Sequence, residues 1–310
     1  MARDLIAEYP RLRLLTYRTM LGLGEAMPLW LLRTIAYASG IIAWWCDARG
    51  RRTVANNLAH FVPTPEALAR ATRRSYVAFC MSVAESFAMG KIPQSRFTPR
   101  WIELVDPFGV FANKPRIGAT IFASVHCNWG LATAACYRMG LVNSIASVAL
   151  PYGDERIDRI FADQRAVFHC RSLLLDRAPL AALRTLRAGE HLCLFSDRDY
   201  TNQGIPVTFA GDTSIFPVGA AALAVQTGVP VVPFMMARRS AERFVMVIGK
   251  PMHADTTIGK SHQVRAMTQA LADVFTRFVA AAPAQWVGFH PVWKKSSRSE
   301  TSIPKKKILQ

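Results

Sequence analysis

A histidine closes an apolar run at Ala123-Ser124-Val125-His126-Cys127-Asn128-Trp129, and two carboxylates follow a second such run at Ser196-Asp197-Arg198-Asp199. Imidazole is the side chain whose ordinary pKa lies nearest neutrality, which suits it to take a proton from a reacting group and return it. Both segments sit just past what read as strand ends, where loops of an α/β sheet converge on a crevice. Two strand ends could therefore bring His126, Asp197 and Asp199 to one site, since an Asp-x-Asp in extended chain projects both side chains to one face. Each residue also has a plainer reading. His126 could be a strand-end histidine bonded to a backbone carbonyl, and Asp197 and Asp199 could be loop or cap carboxylates beside Arg198. Cys127 could in principle be a nucleophile, but neighbours in extended chain point apart, which favours a buried thiol.

The elements that would position these residues are legible in the periodicity. From Ile117 onward, apolar runs rich in Val, Ile and Phe (119–125, 192–195, 229–236, 244–248) alternate with helical stretches (132–139, 154–168, 180–187, 219–227, 263–281). Such alternation predicts an α/β fold with a mixed, largely parallel central sheet flanked by helices. Upstream, Thr64 reads as an N-cap, with Ala67, of a helix running to about Met89, and Arg49 to Pro63 as a polar link. The apolar stretch from Met27 to Trp45 holds one charge, Arg33. As a helix it would reach roughly 28 Å, close to the hydrocarbon thickness of a bilayer. It could span with Arg33 snorkelling, lie in the interface on Trp30, Tyr37, Trp44 and Trp45, or pack as a core helix. This divides the chain into a hydrophobic anchor segment, 1–48, a catalytic domain, 49–293, and a basic tail, 294–310.

A formal net charge of +17 with 51% hydrophobic residues in 310 draws the chain toward anionic partners, and the positive mean hydropathy favours a membrane surface over nucleic acid. The arginines are spread along the chain and no zinc-finger spacing or RNP-like motif appears, so no nucleic-acid partner is expected. Six cysteines form no Cys-x-x-Cys pair and fall mostly in apolar stretches, which predicts reduced thiols and a cytoplasmic catalytic domain. His126-Cys127 and His169-Cys170 are adjacent pairs, a geometry that rarely closes a tetrahedral site, so neither metal nor cofactor is expected.

Beyond the histidine, an ordered set of elements resembles the lipid A biosynthesis lauroyl/myristoyl acyltransferases, relatives of the lysophospholipid acyltransferases. It comprises Arg51, Val54, Asn57 and Leu58; Tyr76 and Glu85; His126 to Ala132; Asp197-Arg198-Asp199 with Gly204, Val207, Phe209 and Gly211; Pro217 to Pro233 around Gly219, Ala221, Leu223, Ala224, Thr227, Gly228 and Pro230; and Pro283, Gln285, Trp286, Phe289, His290 and Trp293. The resemblance implies acyl transfer from an acyl carrier protein thioester, or acyl-CoA, to a hydroxyl of a lipid A precursor or related glycolipid, on the cytoplasmic face of a bacterial inner membrane. It assigns His126 as general base and places Asn128, Trp129, Arg198 and Gly219 at the substrate. Arg165 lies where relatives carry an arginine proposed to stabilise the oxyanion or the donor phosphate; on residues alone it could pair with Asp158 or Asp163. Gln285, Trp286, His290 and Trp293 read as a packing and interface element, with catalysis a remote second.

The chain departs from the family at one point. Relatives carry an acid five residues after the histidine, often as His-x-Gly-Asn-Trp-Glu-Leu-Ala. Here position 131 is Leu, Gly130 replaces the acid as though one residue were deleted, and no Asp or Glu occurs from 127 to 150. Three outcomes follow: Asp197 or Asp199 orients His126; His126 works alone at reduced rate; or the chain is a catalytically degenerate scaffold. A different lipid-like acceptor is a further alternative.

Overall fold

In the computed structural model, which describes residues 10–112 and 118–293, the N-terminal third is helical: α1 (Pro10–Ala26), α2 (Leu29–Cys46), α3 (Ala48–Leu58) and α4 (Pro65–Ala88). The expected basic tail lies outside the described residues. Thr64 caps α4 as expected, its hydroxyl accepting from the Ala67 N–H at 3.4 Å, with Pro65 in the first turn where no intrahelical donor is needed. The polar link expected at 49–63 is mostly helix. Asp47 starts α3 by accepting from the Gly50 N–H at 2.8 Å, and Val54, Asn57 and Leu58 are buried while basic residues occupy the outer face, which made the segment read as a link.

Helix α2 is long and apolar enough, by length and composition, to cross a membrane. One of its faces is nonetheless committed to the protein, with Leu32, Arg33, Ala36 and Gly40 buried against α4. Gly40 permits the close approach, because a Cβ there would sit 2.6 Å from the Val77 Cα. Arg33 does not snorkel outward. Its Nε donates to Glu85 Oε1 at 2.7 Å and its Nη1 to Glu242 Oε1 at 2.9 Å, and Arg238 binds the second oxygen of Glu85. A buried guanidinium needs such a partner, and the carboxylate on α4 supplies it. The opposite face of α2 leaves Trp45 72% and Trp30 68% exposed, together with Ile35, Tyr37 and Ile42.

Past β1 (Ile102–Val105) the chain alternates β2 (Ile121–Ser124), α5 (Trp129–Arg138), β3 (Ile145–Ala149), α6 (Glu155–Ala166), β4 (Cys170–Leu174), α7 (Ala178–Arg187) and β5 (Leu192–Phe195). A hairpin of β6 (Ile205–Phe209) and β7 (Asp212–Phe216) precedes α8 (Gly219–Thr227), β8 (Val231–Arg238), β9 (Phe244–Ile248) and α9 (Lys260–Ala281). The seven-stranded sheet has the order β1-β9-β8-β2-β5-β3-β4. The run from β8 to β4 is parallel, and β9 joins β8 antiparallel. The α/β expectation of a mixed, largely parallel sheet holds.

Strand period two sorts the core into two layers. Ile121, Ala123, Leu192 and Val231 pack with residues of α7, α8 and α9, whereas Phe122, Cys193 and Val232 pack with α5. Because β2 and β5 are neighbours with Ser124 opposite Phe195, the segments leaving both strands emerge side by side at the carboxyl edge.

Candidate active site

Beyond their last paired residues, the two central strands stay in step, with the Ser196 N–H donating to the Ser124 carbonyl at 2.9 Å. Two residues past Ser124 comes His126, and two past Phe195 comes Asp197. They meet. The His126 ring Nδ1 lies 2.5 Å from Asp197 Oδ1, and the His126 backbone N–H donates to Oδ2 at 3.0 Å. The Trp286 indole N–H donates to the same Oδ2 at 2.8 Å. The Asp197 side chain is 1% exposed and that of His126 23%.

Burial acts first on Asp197 and pushes its pKa up, but the facing His126 imidazole and the hydrogen bonds from His126 and Trp286 outweigh it and hold the carboxyl below its ordinary 3.8. An ionised carboxylate against Nδ1 places the ring proton on that nitrogen and the lone pair on Nε2. Phe195 stacks obliquely on the imidazole at 4.8 Å between centroids, and Tyr200 approaches it edge-on at 6.3 Å. A base with a fixed tautomer, a buried carboxylate and a partly open ring is an arrangement able to take a proton from a hydroxyl.

The other residues singled out in the sequence separate into distinct places. Asp199 does not reach His126. It closes its own loop, with Oδ1 accepting from the Thr201 N–H at 2.8 Å and Oδ2 from the Gly204 N–H at 2.8 Å. Gly204 is required there, since a Cβ would lie 2.6 Å from the Phe216 carbonyl oxygen and 2.8 Å from Asp199 Oδ2. The alternation rule fails because β5 ends at Phe195, before either aspartate. Arg198 lays its guanidinium over the Tyr200 ring at 4.4 Å. Arg165 pairs with neither Asp158 nor Asp163; its Nη1 donates to Ser172 Oγ at 3.0 Å, and it lines a cleft of about 310 Å³ with Tyr152, Phe161 and Leu150.

Asn128, buried with φ 44°, opens α5 in the left-handed region, and its Nδ2 donates to the Met236 carbonyl at 3.2 Å and to Gln285 Oε1 at 3.1 Å. Trp129 begins α5 and lies 6.2 Å from the Phe79 ring. Gly219 begins α8, and a Cβ there would meet nothing within 4 Å. Cys127 is no nucleophile at neutral pH: burial drives its thiol up to about 12, with the Asn128 hydrogen bond opposing and the Asp197 charge reinforcing the rise. A larger groove of about 860 Å³ runs from Asn128 between α4 and the β8–β9 pair, lined by Val77, Met81, Val245 and Val247 and by the exposed Arg70 and Arg74. Among the described residues, no group of three or more His, Cys, Asp or Glu side chains is placed to hold a metal ion.

A family model of bacterial lipid A biosynthesis acyltransferases matches residues 11–295. The chain belongs to that family. The chain is 32% identical over 185 residues to a protein of Mycobacterium tuberculosis named phosphatidylinositol mannoside acyltransferase, a match covering 57% of this chain and 55% of that protein. It thus spans about half the length of that relative. A protein of the same name from Mycolicibacterium smegmatis is 27% identical over 254 residues, 79% of this chain and 80% of the relative. The solved 1-acyl-sn-glycerophosphate acyltransferase of Thermotoga maritima aligns with 82% of this chain and 99% of its own at 16% identity, with a TM-score of 0.38.

Trp286 is the part of this candidate site that sequence reasoning assigned first to packing and interface, with catalysis a remote second. A buried indole beside a buried carboxylate is a pairing that only the fold creates. The available signal was that a tryptophan in a core must find an acceptor for its N–H.

Proposed function

We propose that this acyltransferase moves a fatty acyl chain from a phosphopantetheine thioester to a hydroxyl of a glycolipid, with His126 as general base and Asp197 as the acid that orients it. The observation that carries the reading is the contact between them. A carboxylate 71 residues from the histidine in sequence lies against its ring Nδ1. In the reaction, His126 Nε2 accepts the acceptor's hydroxyl proton as the oxygen bonds to the thioester carbonyl carbon. Collapse of the tetrahedral intermediate breaks the carbon–sulfur bond, and the imidazolium returns the proton to the departing thiolate. Asp197 stabilises the imidazolium between those two events. Arg165, in its cleft with Tyr152, is assigned to the oxyanion or the donor phosphate, and Arg198, Asn128, Trp129 and Gly219 to the substrate.

The acceptor class follows from the family and from the relatives' name: a lipid A precursor or a mannosylated phosphoinositide, both acidic glycolipids. The basic chain suits either, and equally an acidic acyl carrier protein. The apolar groove beside Asn128 suits a hydrocarbon chain. Location at the cytoplasmic face of an inner membrane is supported by the exposed aromatic face of α2 and by cysteines 127, 136, 170 and 193, which are free and buried. Against the scaffold reading, a degenerate chain has no need to keep a buried carboxylate on a strand-end imidazole.

The test is transfer of labelled acyl groups, from acyl carrier protein and from coenzyme A, to lipid A precursors and phosphatidylinositol mannosides by detergent-solubilised protein. Turnover should fall by about 10³ or more in His126→Ala. Product formation that survives this change would remove the base from the mechanism.

A further inference from the structure

Of three consecutive residues after α9, two bind the His126–Asp197 pair itself and the first binds Asn128 and Arg238 beside it. Gln285 Oε1 accepts from Asn128 Nδ2 at 3.1 Å and from the Arg238 N–H at 2.6 Å, while its Nε2 donates to the Arg238 carbonyl at 2.7 Å. Trp286 donates to Asp197 Oδ2. The Val287 N–H donates to the His126 carbonyl at 2.9 Å, tying down the backbone of the base itself.

We infer that this tripeptide is a clamp for the reaction, with Trp286 its positioning residue: the indole N–H fixes the rotation of the Asp197 carboxylate so that Oδ1 faces the His126 ring. A carboxylate turns about its terminal torsion in broad, roughly two-fold wells, so a single partner leaves its plane free. Here the two oxygens have separate duties. Oδ1 meets Nδ1, while Oδ2 is pinned by two donors from different parts of the chain, the His126 backbone and the Trp286 ring. Because the His126 backbone moves with the residue to be oriented, Trp286 is the donor that references the carboxylate to the rest of the fold. It is well suited to this. The ring is 2% exposed and packed edge-to-face against Phe61 at 5.9 Å, Phe209 at 5.8 Å and Trp293 at 6.3 Å, so its N–H cannot swing away.

The inference rests on the His126–Asp197 reading above, and its test separates the two. A plain Trp286→Phe change would disturb both the hydrogen bond and the aromatic packing. The decisive variant places benzothienylalanine at position 286 of the full chain by site-specific incorporation, keeping the bicyclic ring and replacing the N–H with sulfur. Turnover at saturating substrate should fall about tenfold, the scale of one lost hydrogen bond to a charged acceptor. KM for donor and acceptor should stay at wild-type values, the melting temperature should fall only by the few degrees that one buried hydrogen bond costs, and the downfield proton resonance of the His126 Nδ1–H should shift or broaden. A merely structural tryptophan would leave turnover and resonance unmoved in this isostere, and that result overturns the proposal. His126→Ala run alongside discriminates further: if it retains activity, the general-base reading has failed; if it is inactive while the isostere is fully active, only the clamp has failed.

Discussion

His126 and Asp197 are joined twice, ring to one carboxylate oxygen at 2.5 Å and backbone N–H to the other at 3.0 Å. The double attachment ties one buried carboxylate to both the ring and the backbone of the histidine. It fixes both the tautomer of the base and the direction from which the carboxylate approaches.

The two aspartates of the Asp-x-Asp should separate in their variants. Asp197→Asn should lower turnover by about 10³ to 10⁴, as loss of the orienting charge does in triads, whereas Asp199→Asn should change turnover less than about threefold, because that side chain serves its own loop. Steady-state rates of the two purified variants decide this.

Asp197 also gives stability a sign with pH. Its folded pKa lies below the ordinary 3.8, so its contribution is fully present above that value and is lost as pH falls toward and through the lower folded value. Denaturant unfolding should show Asp197→Asn about 2 kcal/mol less stable than the parent at pH 7, with the gap narrowing below 3.8.

Putting an acid back beside the histidine should fail. A Cβ on Gly130 would lie 2.2 Å from Ser86 Oγ and 2.8 Å from Ser86 Cβ, so α4 must move to admit any side chain. Gly130→Glu should lower stability by about 1–3 kcal/mol, in the range of overpacking, and should not restore turnover to Asp197→Asn. Thermal melts and rates of the single and double variants measure both effects.

Arg33→Met should be costly despite lying in an apolar helix. It leaves Glu85, 4% exposed, with Arg238 alone, and the loss of one hydrogen bond to a buried charge costs about 1.5–3 kcal/mol. Urea unfolding at neutral pH is the check.

The exposed face of α2 should govern membrane binding without governing chemistry. Trp30→Glu combined with Trp45→Glu removes two large apolar contacts from that face. The double variant should bind anionic phospholipid vesicles at least about tenfold more weakly in flotation assays, while its turnover on detergent-dispersed substrates stays near the parent's.

How far the sequence spoke for the structure depends on the range over which each interaction acts. Thr64, the apolar runs that became β2, β5, β8 and β9, and the helix from Gln263 announce themselves through caps and periodicity, which are local. Strands β1, β3, β4, β6 and β7 carry polar residues within their four or five positions (Glu103, Ser147, Arg171, Thr208 and Asp212 among them), so they escaped a reading based on apolar runs. Position 126 was legible, and 197 was named with 199 as equals. Only the register of β5 on β2 separates them, since it sets Asp197 against the imidazole and leaves Asp199 beyond it to bind its own loop. The partners of Trp286 and of Arg33 were invisible for the same reason: these acceptors, Asp197 and Glu85, lie 89 and 52 residues away.

The equal overhang of two residues beyond Ser124 and beyond Phe195 dictates where the gene tolerates changes of length. Adding or deleting a residue between 124 and 126, or between 195 and 197, puts one partner out of step with the other at the carboxyl edge, and the pair is lost. The stretch from α5 to α7 is under no such restraint, because its strands, β3 and β4, lie outward of β5 and their loops do not enter the count between base and acid. An acid found this way is located by counting outward along neighbouring strands, and its distance from the histidine in the linear text carries no information about whether they touch.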